Sequence, residues 1–218
     1  MGKEENERMI RYLFDSNYID ERTANAMRNV LREYFVPQIY KQYAYSDTPF
    51  PIGAGQTISA PGIVGLMTKE LKVDKGMQIL EIGSGSGYQA AILAEIVGEK
   101  GHIYTVERVP ELIDLAKKNI EKLGYKNIEF IYGDGTKGHP DKTPYDRIIV
   151  TAGAPSVPKS LIEQLKNGGR MIIPVGPMFY QNLILIEKNE KGNVKETNLL
   201  SVMFVPLIGE YGYKEGQI

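Results

Sequence analysis

Cysteine is absent from the 218 residues of this chain, and histidine occurs only twice, as His102 and His139. Without cysteine there is no disulfide framework, no thiolate ligand for zinc and no cysteine nucleophile. Two histidines are too few for a histidine-rich metal site, so the sequence predicts no metal. The first ten residues lack the apolar core of a secretory signal, and we therefore expect a cytoplasmic protein.

An excess of charge of either sign is also missing. The 26 basic and 27 acidic residues give a formal net charge of -1, which provides no overall attraction to nucleic acid or to an anionic membrane. A local basic patch stays compatible with this balance. The length suits one domain of moderate size, and a hydrophobic content of 42% is enough for a sizeable core. We expect a monomer.

Charged residues are likewise missing from residues 48–68. This run is long enough for a membrane span, but prolines and glycines interrupt it, so we predict an ordered loop that is buried or covers a site. Within it, GQTISAP (residues 55–61) fits neither a helix nor a strand and carries a bare hydroxyl, Ser59. A turn that only closes a core is as compatible with this string as a functional loop is.

Hydrophobic periodicity predicts an α/β fold. Apolar residues recur at helical spacing in residues 3–35, which we divide into two helices, and again in residues 63–71. Short, β-branched, nearly continuous apolar runs then predict buried strands of a parallel sheet, with helical segments between them. The predicted strands are residues 77–83, 102–107, 128–132, 146–152 and 169–176, and the helices are residues 88–97, 110–123 and 159–165.

Alternation of strand and helix is typical of a right-handed, doubly wound, Rossmann-like sheet. After Gly176 the strings NLILIEKN and LLSVMFVPL flank the turn EKGNVK without a helix between them, so we predict that the sheet ends in an antiparallel hairpin. We expect one compact domain. Residues 1–72 supply N-terminal helices and the uncharged loop, and residues 73–218 form the α/β core.

The first predicted strand ends in EIGSGSGYQAA, and a helix begins at once. Gly83, Gly85 and Gly87 let backbone N–H groups approach a ligand where a Cβ would collide. Glu107 ends the second strand, where a carboxylate can accept both hydroxyls of a ribose. These residues predict an adenine-nucleoside cofactor, and glycines that only make a tight turn are the alternative. A dinucleotide fingerprint would need glycine where this chain has Tyr88.

The string GDG at residues 133–135 follows the third predicted strand. There Asp134 could accept a hydrogen bond from the exocyclic amine of adenine, although an aspartate in such a turn is also an ordinary turn former. In combination, LEIGSGSG, the acid in VER, and GDG resemble the class I S-adenosylmethionine-dependent methyltransferases, in which these three features hold the cofactor. The resemblance implies a seven-stranded sheet with strand order 3-2-1-4-5-7-6.

A closer resemblance covers nearly the whole chain from about Val36 onward. The strings GQTISAP, LEIGSGSGYQAA, YDRIIVTAGAP, LKNGGRMIIPVG and a late FVPL look like those of the protein L-isoaspartate O-methyltransferases, in the same order. This resemblance implies methyl transfer from S-adenosyl-L-methionine, with S-adenosyl-L-homocysteine as product. The acceptor it implies is the free α-carboxylate of L-isoaspartyl, and of D-aspartyl, residues in damaged peptides and proteins. The ester then collapses to a succinimide that hydrolyses partly to normal aspartate.

The same resemblance implies roles for individual residues. Ser59 is the expected catalytic residue, because the TIS string of the family approaches the reactive end of the cofactor. The expected cofactor-binding residues are Gln56, Thr57, Gly83, Ser84, Gly85, Gly87, Glu107, Arg108, Asp134 and Gly135. The expected substrate contacts are Ile58, Ser59, Ala60, Val205, Pro206 and Leu207. The chain departs from the family at Gly62, where histidine usually follows SAP, and this puts in doubt any contribution of that imidazole.

The implied chemistry explains the lack of an obvious catalytic dyad. A carboxylate with a pKa near ~4 is already ionised at neutral pH, so no general base is required. The protein must instead align oxygen, methyl and sulfur, and exclude water from the nucleophile. We expect Ser59 to donate one hydrogen bond to the carboxylate, while Ile58, Ala60 and Pro61 keep water out.

Three other functions stay open on the residues alone. Another small-molecule or RNA methyltransferase would share the glycine loop and the acid, although balanced charge and the lack of an NPPY-like motif after Val150 disfavour methylation of base amino groups. A nicotinamide-dependent reductase would use the same fold, but the residue at Tyr88 argues against it. A cofactor-binding module without catalytic activity is the third.

Overall fold

The computed structural model describes residues 2–217 and begins with two helices, as the sequence predicts. Helix α1 spans Gly2–Asp15 and α2 spans Glu21–Asn29. The second helix begins where it does because the Asp20 side chain accepts a hydrogen bond from the Thr23 N–H at 2.8 Å, which caps the first turn. Short 3₁₀ segments then lead into the uncharged run.

The uncharged run contains a hairpin that the sequence did not predict. Strand β1 (Phe50–Gly53) pairs antiparallel with β2 (Gln56–Ile58), so the expectation that GQTISAP fits no strand is wrong for these three residues. The hairpin forms because residues 53–55 adopt positive φ angles in a tight turn. In addition, Phe50 and Ile58 face each other in register, and both are buried.

Helix α3 (Pro61–Leu71) follows the hairpin directly. It begins two residues before the predicted start, because proline fits the first turn of a helix, where its missing N–H has no partner to lose. Only Ser59 and Ala60 connect β2 to this helix. The hydroxyl of interest therefore lies on a short link that is fixed at both ends by regular structure.

A seven-stranded sheet forms the centre of the molecule and confirms the predicted α/β fold class. Its first five strands are parallel to their neighbours, and its last two are antiparallel. The strands are β3 (Gln78–Ile82), β4 (His102–Glu107), β5 (Ile128–Tyr132), β6 (Tyr145–Val150), β7 (Leu165–Val175), β8 (Gln181–Lys188) and β9 (Val194–Val202). The intervening helices are α4 (Tyr88–Val97), α5 (Pro110–Glu121) and α6 (Lys159–Gln164).

The order of the last two strands differs from the one that the resemblance to class I methyltransferases implies. The observed order is β5-β4-β3-β6-β7-β8-β9, which is 3-2-1-4-5-6-7 when the strands of this sheet are counted along the chain. The expected order 3-2-1-4-5-7-6 is therefore wrong. Strand β8 pairs directly with β7 because only residues 176–180 connect them, a length that closes a hairpin between neighbours.

The last strand is also displaced from the predicted string LLSVMFVPL, because β9 ends at Val202. The ladder stops there since the Phe204 N–H donates to the side chain of Gln181 at 2.8 Å and not to a neighbouring strand. Residues 203–207 instead cross the carboxyl edge of the sheet, where they bond to both sides of the Gly153 backbone at 2.7 and 2.8 Å. This edge is where ligands bind in α/β sheets.

One continuous hydrophobic core joins the N-terminal helices to the sheet. Leu13 of α1 and Met27 of α2 belong to the same cluster of buried side chains as Ile79 of β3 and Leu93 of α4. The division of the chain at residue 72 stays a prediction. No helix within residues 2–217 is both long and apolar enough to cross a membrane.

Glu81 on β3 is an unusual member of this interior. Its side chain is fully buried, and neither carboxyl oxygen has a hydrogen-bond partner in the described part of the chain. Burial disfavours the charged form and raises the pKa of Glu81 to about 8. The group is therefore mostly protonated at neutral pH in the folded protein, whereas it is ionised in the unfolded chain.

This difference predicts a pH dependence of stability. Because the folded pKa is raised from 4.5 to about 8, the contribution of Glu81 is fully present below about pH 4.5 and is lost progressively up to about pH 8. In Glu81→Gln the residue does not titrate, so its free energy of unfolding relative to wild type should rise by about 1.4 kcal/mol per pH unit across that window. Urea unfolding at several pH values measures it. The exposed control Glu99→Gln should give no such slope, and parallel profiles for Glu81→Gln and wild type would contradict the assignment.

Candidate active site

The glycine loop joins β3 to α4 at the carboxyl edge of the sheet. Gly83, Gly85 and Gly87 have φ angles of 94°, 50° and 86°, a region that favours glycine. Gly83 also permits a close approach, since a Cβ there would lie 2.4 Å from the Thr151 hydroxyl oxygen. Gly87 has a different surrounding: it precedes α4, and a Cβ there would lie 3.3 Å from the Cβ of Ala116 on α5. The space beside Gly87 is thus closed by helix α5.

The carboxylate of Glu107 ties this loop to the end of β4. Its Oε2 accepts the Gly85 N–H at 3.2 Å, and its Oε1 accepts the N–H groups of Arg108 at 2.8 Å and Val109 at 3.0 Å. A carboxylate oxygen can accept about two hydrogen bonds, so Oε2 keeps acceptor capacity beyond the one that it uses. The side chain is therefore held in one orientation and is still able to bind a ligand.

The glycine loop, Glu107 and residues 205–208 enclose a space that we call the main cavity. It brings together residues from six separate parts of the sequence. Apolar side chains that the sequence did not single out, Val109 and Leu112 among them, form part of its wall. Of the residues that the sequence did predict, it is lined by Gln56, Thr57, Gly83, Gly85, Glu107, Arg108, Gly135, Val205, Pro206 and Leu207.

Asp134 lies beside a neighbouring outer cavity, which Arg108 also lines. Its Oδ1 accepts hydrogen bonds from the N–H and hydroxyl of Thr136 at 2.9 and 2.6 Å, as a turn-forming aspartate does. Its Oδ2 accepts the Glu210 N–H at 2.8 Å. Burial raises the pKa of Asp134, but these hydrogen bonds outweigh burial and lower it below its usual value. The ionised side chain thus holds the C-terminal segment in place.

Two ion pairs fasten the same C-terminal segment. Arg108 pairs with Glu215, and the Lys137 Nζ lies 2.5 Å from a carboxylate oxygen of Glu210. All four side chains are more than a third exposed, so neither pair contributes much to stability. Their position matters more than their energy, since Glu215 and Arg108 border the outer cavity together. The C-terminal segment therefore packs beside the site.

Beneath the glycine loop lies a small polar cavity of about 40 Å³. Ser84, Ser86, Gln89 and Ile58 are among the residues that line it. Ser84 is 4% exposed, and its hydroxyl has no hydrogen-bond partner within residues 2–217. An unpaired buried hydroxyl costs free energy, so a polar group that enters this cavity and bonds to it is stabilised.

Ser59 lies where the small polar cavity meets a fourth space, an apolar cleft of about 500 Å³. Ala60, Val205 and Pro206 also line this cleft. The two remaining substrate residues expected from the sequence border adjacent spaces: Ile58 lines the small polar cavity and Leu207 lines the main cavity. The structure therefore brings the expected substrate contacts around one point, although they come from opposite ends of the sequence.

Thr151 is a site residue that sequence reasoning missed. It lines the main cavity, the small polar cavity and the apolar cleft. Its hydroxyl lies 3.0 Å from the Ile82 carbonyl oxygen and 2.8 Å from that of Gly83, so it also supports the start of the glycine loop. The available signal was its position directly after β6, since β6 neighbours β3 and adjacent parallel strands end at the same edge.

The glycine at residue 62 has a local structural reason. Asp47 Oδ1 accepts the Gly62 N–H at 2.7 Å and so caps the first turn of α3 from the preceding segment. A Cβ at residue 62 would lie 2.8 Å from Asp47 Oδ2, which is too close for the carboxylate to stay where it is. A larger side chain at residue 62 would therefore displace the Asp47 carboxylate, whereas glycine leaves the cap in place.

Comparisons with known proteins point to one family. A family model described as Protein-L-isoaspartate(D-aspartate) O-methyltransferase matches residues 4–212. The chain is 53% identical over 205 residues to the protein-L-isoaspartate O-methyltransferase of Methanococcoides burtonii, which covers 94% of this chain and 100% of that relative. It is 52% identical to the protein of the same name from Staphylothermus marinus, with 97% of each chain covered.

Solved structures agree with these sequences. A structure titled protein-L-isoaspartate O-methyltransferase matches with a TM-score of 0.83 at 35% identity, over 95% of this chain and 67% of that chain. A putative enzyme of the same name from Plasmodium falciparum, in complex with S-adenosyl-L-homocysteine, matches with a TM-score of 0.81 at 28% identity. That match covers 92% of this chain and 97% of the Plasmodium chain.

The cap at Gly62 predicts that Gly62→Ala has different effects in two genetic backgrounds. In wild type, the new Cβ displaces the Asp47 carboxylate from the α3 N-terminus, and the loss of this cap, about 1 kcal/mol, offsets the higher helix propensity of alanine, so the net change should be close to zero. In Asp47→Ala there is no cap to displace, and alanine should stabilise the helix by up to about 1 kcal/mol over glycine. The free energy of unfolding of the four proteins measures this coupling. Equal effects of Gly62→Ala in both backgrounds would argue that Asp47 is not the reason for the glycine.

Proposed function

The chain belongs to the protein-L-isoaspartate(D-aspartate) O-methyltransferase family, and from that premise we propose how its cavities divide the work of the reaction. The observation that carries the function is the family match over residues 4–212. The protein is a repair methyltransferase that moves the methyl group of S-adenosyl-L-methionine to the free α-carboxylate of L-isoaspartyl residues in damaged peptides and proteins. The methyl ester leads through a succinimide to normal aspartyl residues.

The donors and acceptors of the main cavity fit S-adenosyl-L-methionine, which supplies a methyl group bonded to a positively charged sulfur. Glu107 offers the remaining capacity of its Oε2 to the ribose hydroxyls. The side chains of Val109 and Leu112 offer apolar surface to the adenine ring. The unpaired hydroxyl of Ser84 and the neighbouring Gln89 offer polar partners to the amino-acid end.

The remaining expected cofactor residues take supporting roles in this proposal. Arg108 and Gly135 of the main cavity and Asp134 of the outer cavity border the adenine end, and Asp134 keeps one acceptor position on Oδ2 after the bond from Glu210. Gln56 and Thr57 close the main cavity from the side of β2. Gly83 and Gly85 allow the backbone to approach the ligand, whereas Gly87 serves the packing of α4 on α5.

Ser59 orients the nucleophile in this proposal. The substrate carboxylate is ionised at neutral pH, so the site needs no base to activate it. Ser59 lies between the apolar cleft, which admits the peptide, and the small polar cavity next to the glycine loop. One hydrogen bond from its hydroxyl aligns the carboxylate oxygen, while the apolar walls exclude water that would otherwise solvate that oxygen. A stronger, charged partner would hold the carboxylate but reduce its nucleophilicity.

The partners of the reaction are isoaspartyl-containing peptides and proteins. We propose in addition that neither nucleic acid nor membrane is a partner, since the net charge of -1 supplies no attraction to either. The monomeric state and the cytoplasmic location stay predictions from the sequence. Family membership disfavours a base methyltransferase and a nicotinamide-dependent reductase. The third alternative, a cofactor-binding module without catalytic activity, is distinguished from the methyltransferase by the following assay.

The function is tested with methyl-labelled S-adenosyl-L-methionine and two peptides that differ only in an isoaspartyl or an aspartyl residue. We expect base-labile label on the isoaspartyl peptide alone, because a methyl ester forms only where the free α-carboxylate has the required position. Label that resists base, or label on both peptides, would point to a different acceptor. Binding of the cofactor without any label transfer would favour the binding module.

Ser59→Ala should lower the methyl-transfer rate on an isoaspartyl peptide by about 10- to 100-fold, the effect of losing one hydrogen bond to a charged group. Its affinity for S-adenosyl-L-methionine should stay close to that of wild type, because the hydroxyl serves the acceptor. Single-turnover rates and calorimetric titration separate the two quantities. Ser16→Ala, which changes an exposed serine between α1 and α2, is the matched control. A normal rate in Ser59→Ala would remove the hydroxyl from the mechanism.

Glu107→Ala should weaken the binding of S-adenosyl-L-methionine by about 1–3 kcal/mol, because the ribose loses a charge-assisted partner and the backbone of the two neighbouring turns loses three hydrogen bonds. Calorimetry on the variant measures this change directly. The exposed Glu99→Ala removes a carboxylate of the same type away from the site and should leave the affinity unchanged. If both variants bind with wild-type affinity, the acid at residue 107 does not hold the cofactor.

A further inference from the structure

The apolar cleft beside Ser59 extends well beyond the residues that a carboxylate and its immediate backbone would need. Its volume is about 500 Å³. The outer part is formed by two short segments that the sequence did not mark as functional. One is the connection between β7 and β8, which carries Met178 and Phe179, and the other follows β9 and carries Met203 and Phe204.

These segments lie side by side because of the strand register. Gln181, the first residue of β8, pairs with Val202, the last residue of β9. Phe179 precedes that pair by two residues and Met203 follows it by one, so both leave the same end of the hairpin. The hairpin of β8 and β9 thus places the two apolar segments next to each other, and together they form two walls of the cleft beside Ser59.

A single buried side chain braces the two walls against each other. Gln181 is fully buried, and its Nε2 donates to the carbonyl oxygens of Pro177 at 2.8 Å and Met178 at 2.7 Å. Its Oε1 accepts the Phe204 N–H at 2.8 Å. All of these bonds are made within the protein, so the backbone of both walls is held in place before a ligand enters.

The walls present apolar surface that nothing in the described chain covers. Phe179 is 82% exposed and Met203 is 75% exposed, the two highest values among its large apolar side chains. Single exposed apolar residues are normal on protein surfaces. Two adjacent ones on braced backbone, continuous through the cleft with Ser59 and Thr151, are typical of a ligand-binding groove.

The cleft also lacks charge. None of its described lining residues is an aspartate, glutamate, lysine or arginine, and its polar members, Thr57, Ser59, Thr151 and Ser201, carry only hydroxyls. A charged peptide side chain that entered would lose hydration without gaining an ion pair. An apolar side chain would instead bury its surface against both walls.

We propose that this cleft binds the side chain of a residue next to the isoaspartyl residue, and that the enzyme therefore favours damaged sites flanked by a bulky apolar residue. Phe179 and Met203 are the specificity-determining side chains. The proposal rests on the methyltransferase function above, because the occupant enters the cleft only when the isoaspartyl carboxylate is held at Ser59. It adds a selection among substrates that all carry the same damaged residue.

Four isoaspartyl peptides test the proposal. They have serine on both sides of the isoaspartyl residue, leucine before it, leucine after it, or leucine on both sides. We expect at least one single-leucine peptide to have kcat/KM about tenfold above the serine peptide, through a lower KM, and the responding position identifies the side that faces the cleft. Equal kcat/KM values for all four peptides would overturn the specificity while leaving the function intact. No labelling of any peptide would instead be a failure of the proposed function.

Variants locate the effect. In Phe179→Ser/Met203→Ser, the ratio of kcat/KM between the leucine and serine peptides should fall from about ten toward one. This ratio is taken within one protein preparation, so a partly unfolded variant does not change it. Tyr12→Ser/Phe14→Ser removes two exposed aromatic residues of α1, which are 58% and 46% exposed, and should keep the wild-type ratio. An unchanged ratio in Phe179→Ser/Met203→Ser, or an equal fall in the control, would reject these two residues as the walls that select the peptide.

Discussion

The geometry of the site depends on the carboxylate of Glu107, which accepts hydrogen bonds from the backbone of two neighbouring turns. Glu107 accepts N–H groups from the glycine loop after β3 and from the turn after its own strand β4. Parallel strands place these two turns next to each other, and the Gly83 N–H continues the ladder by donating to the Val106 carbonyl oxygen at 2.8 Å. The charge-assisted hydrogen bonds of Glu107 extend this connection to Gly85 and to the turn after β4. The other walls of the main cavity, including residues 205–208, lie around this point.

The N-terminal part of the chain contributes to the same site through a buried cation. Arg32 is fully buried, its guanidinium lies 5.1 Å from the ring of Tyr88 at the start of α4, and its Nη2 donates to the Thr48 carbonyl at 3.3 Å. Burial lowers the pKa of Arg32 to about 10, so it is still charged at neutral pH. A buried charge in such contacts links the segment before the hairpin to the helix after the glycine loop.

Local sequence pattern was sufficient to predict most helices and strands and the glycine loop, but not the side-chain contacts between segments that are distant in the sequence. Strands β4 and β5 have the predicted bounds because their apolar runs end at turn residues that are visible in the sequence. The hairpin of β1 and β2 was missed since its turn uses Ala54 at a φ angle of 49°, a conformation that residue type does not signal. Thr151 and Asp47 were missed because each acts through partners 15 or more residues away, and Gln181 was missed because it joins its near neighbours to Phe204, 23 residues away. The predicted strand order was wrong for a related reason. It came from the resemblance to class I methyltransferases, whereas the short connection between β7 and β8 decides the observed order.

Gln181 has a consequence for how relatives of this protein diverge. Its amide satisfies carbonyl groups of one surface segment and an N–H group of another, and a Cβ on Gly153 would lie 2.9 Å from its Cδ, so the surrounding space is also closed. Insertion or deletion of one residue in either segment would leave a buried amide or backbone group unpaired, at a cost of about 1–3 kcal/mol. The two segments are therefore expected to change length together in evolution. Loop exchange between relatives would have to transfer both as a unit.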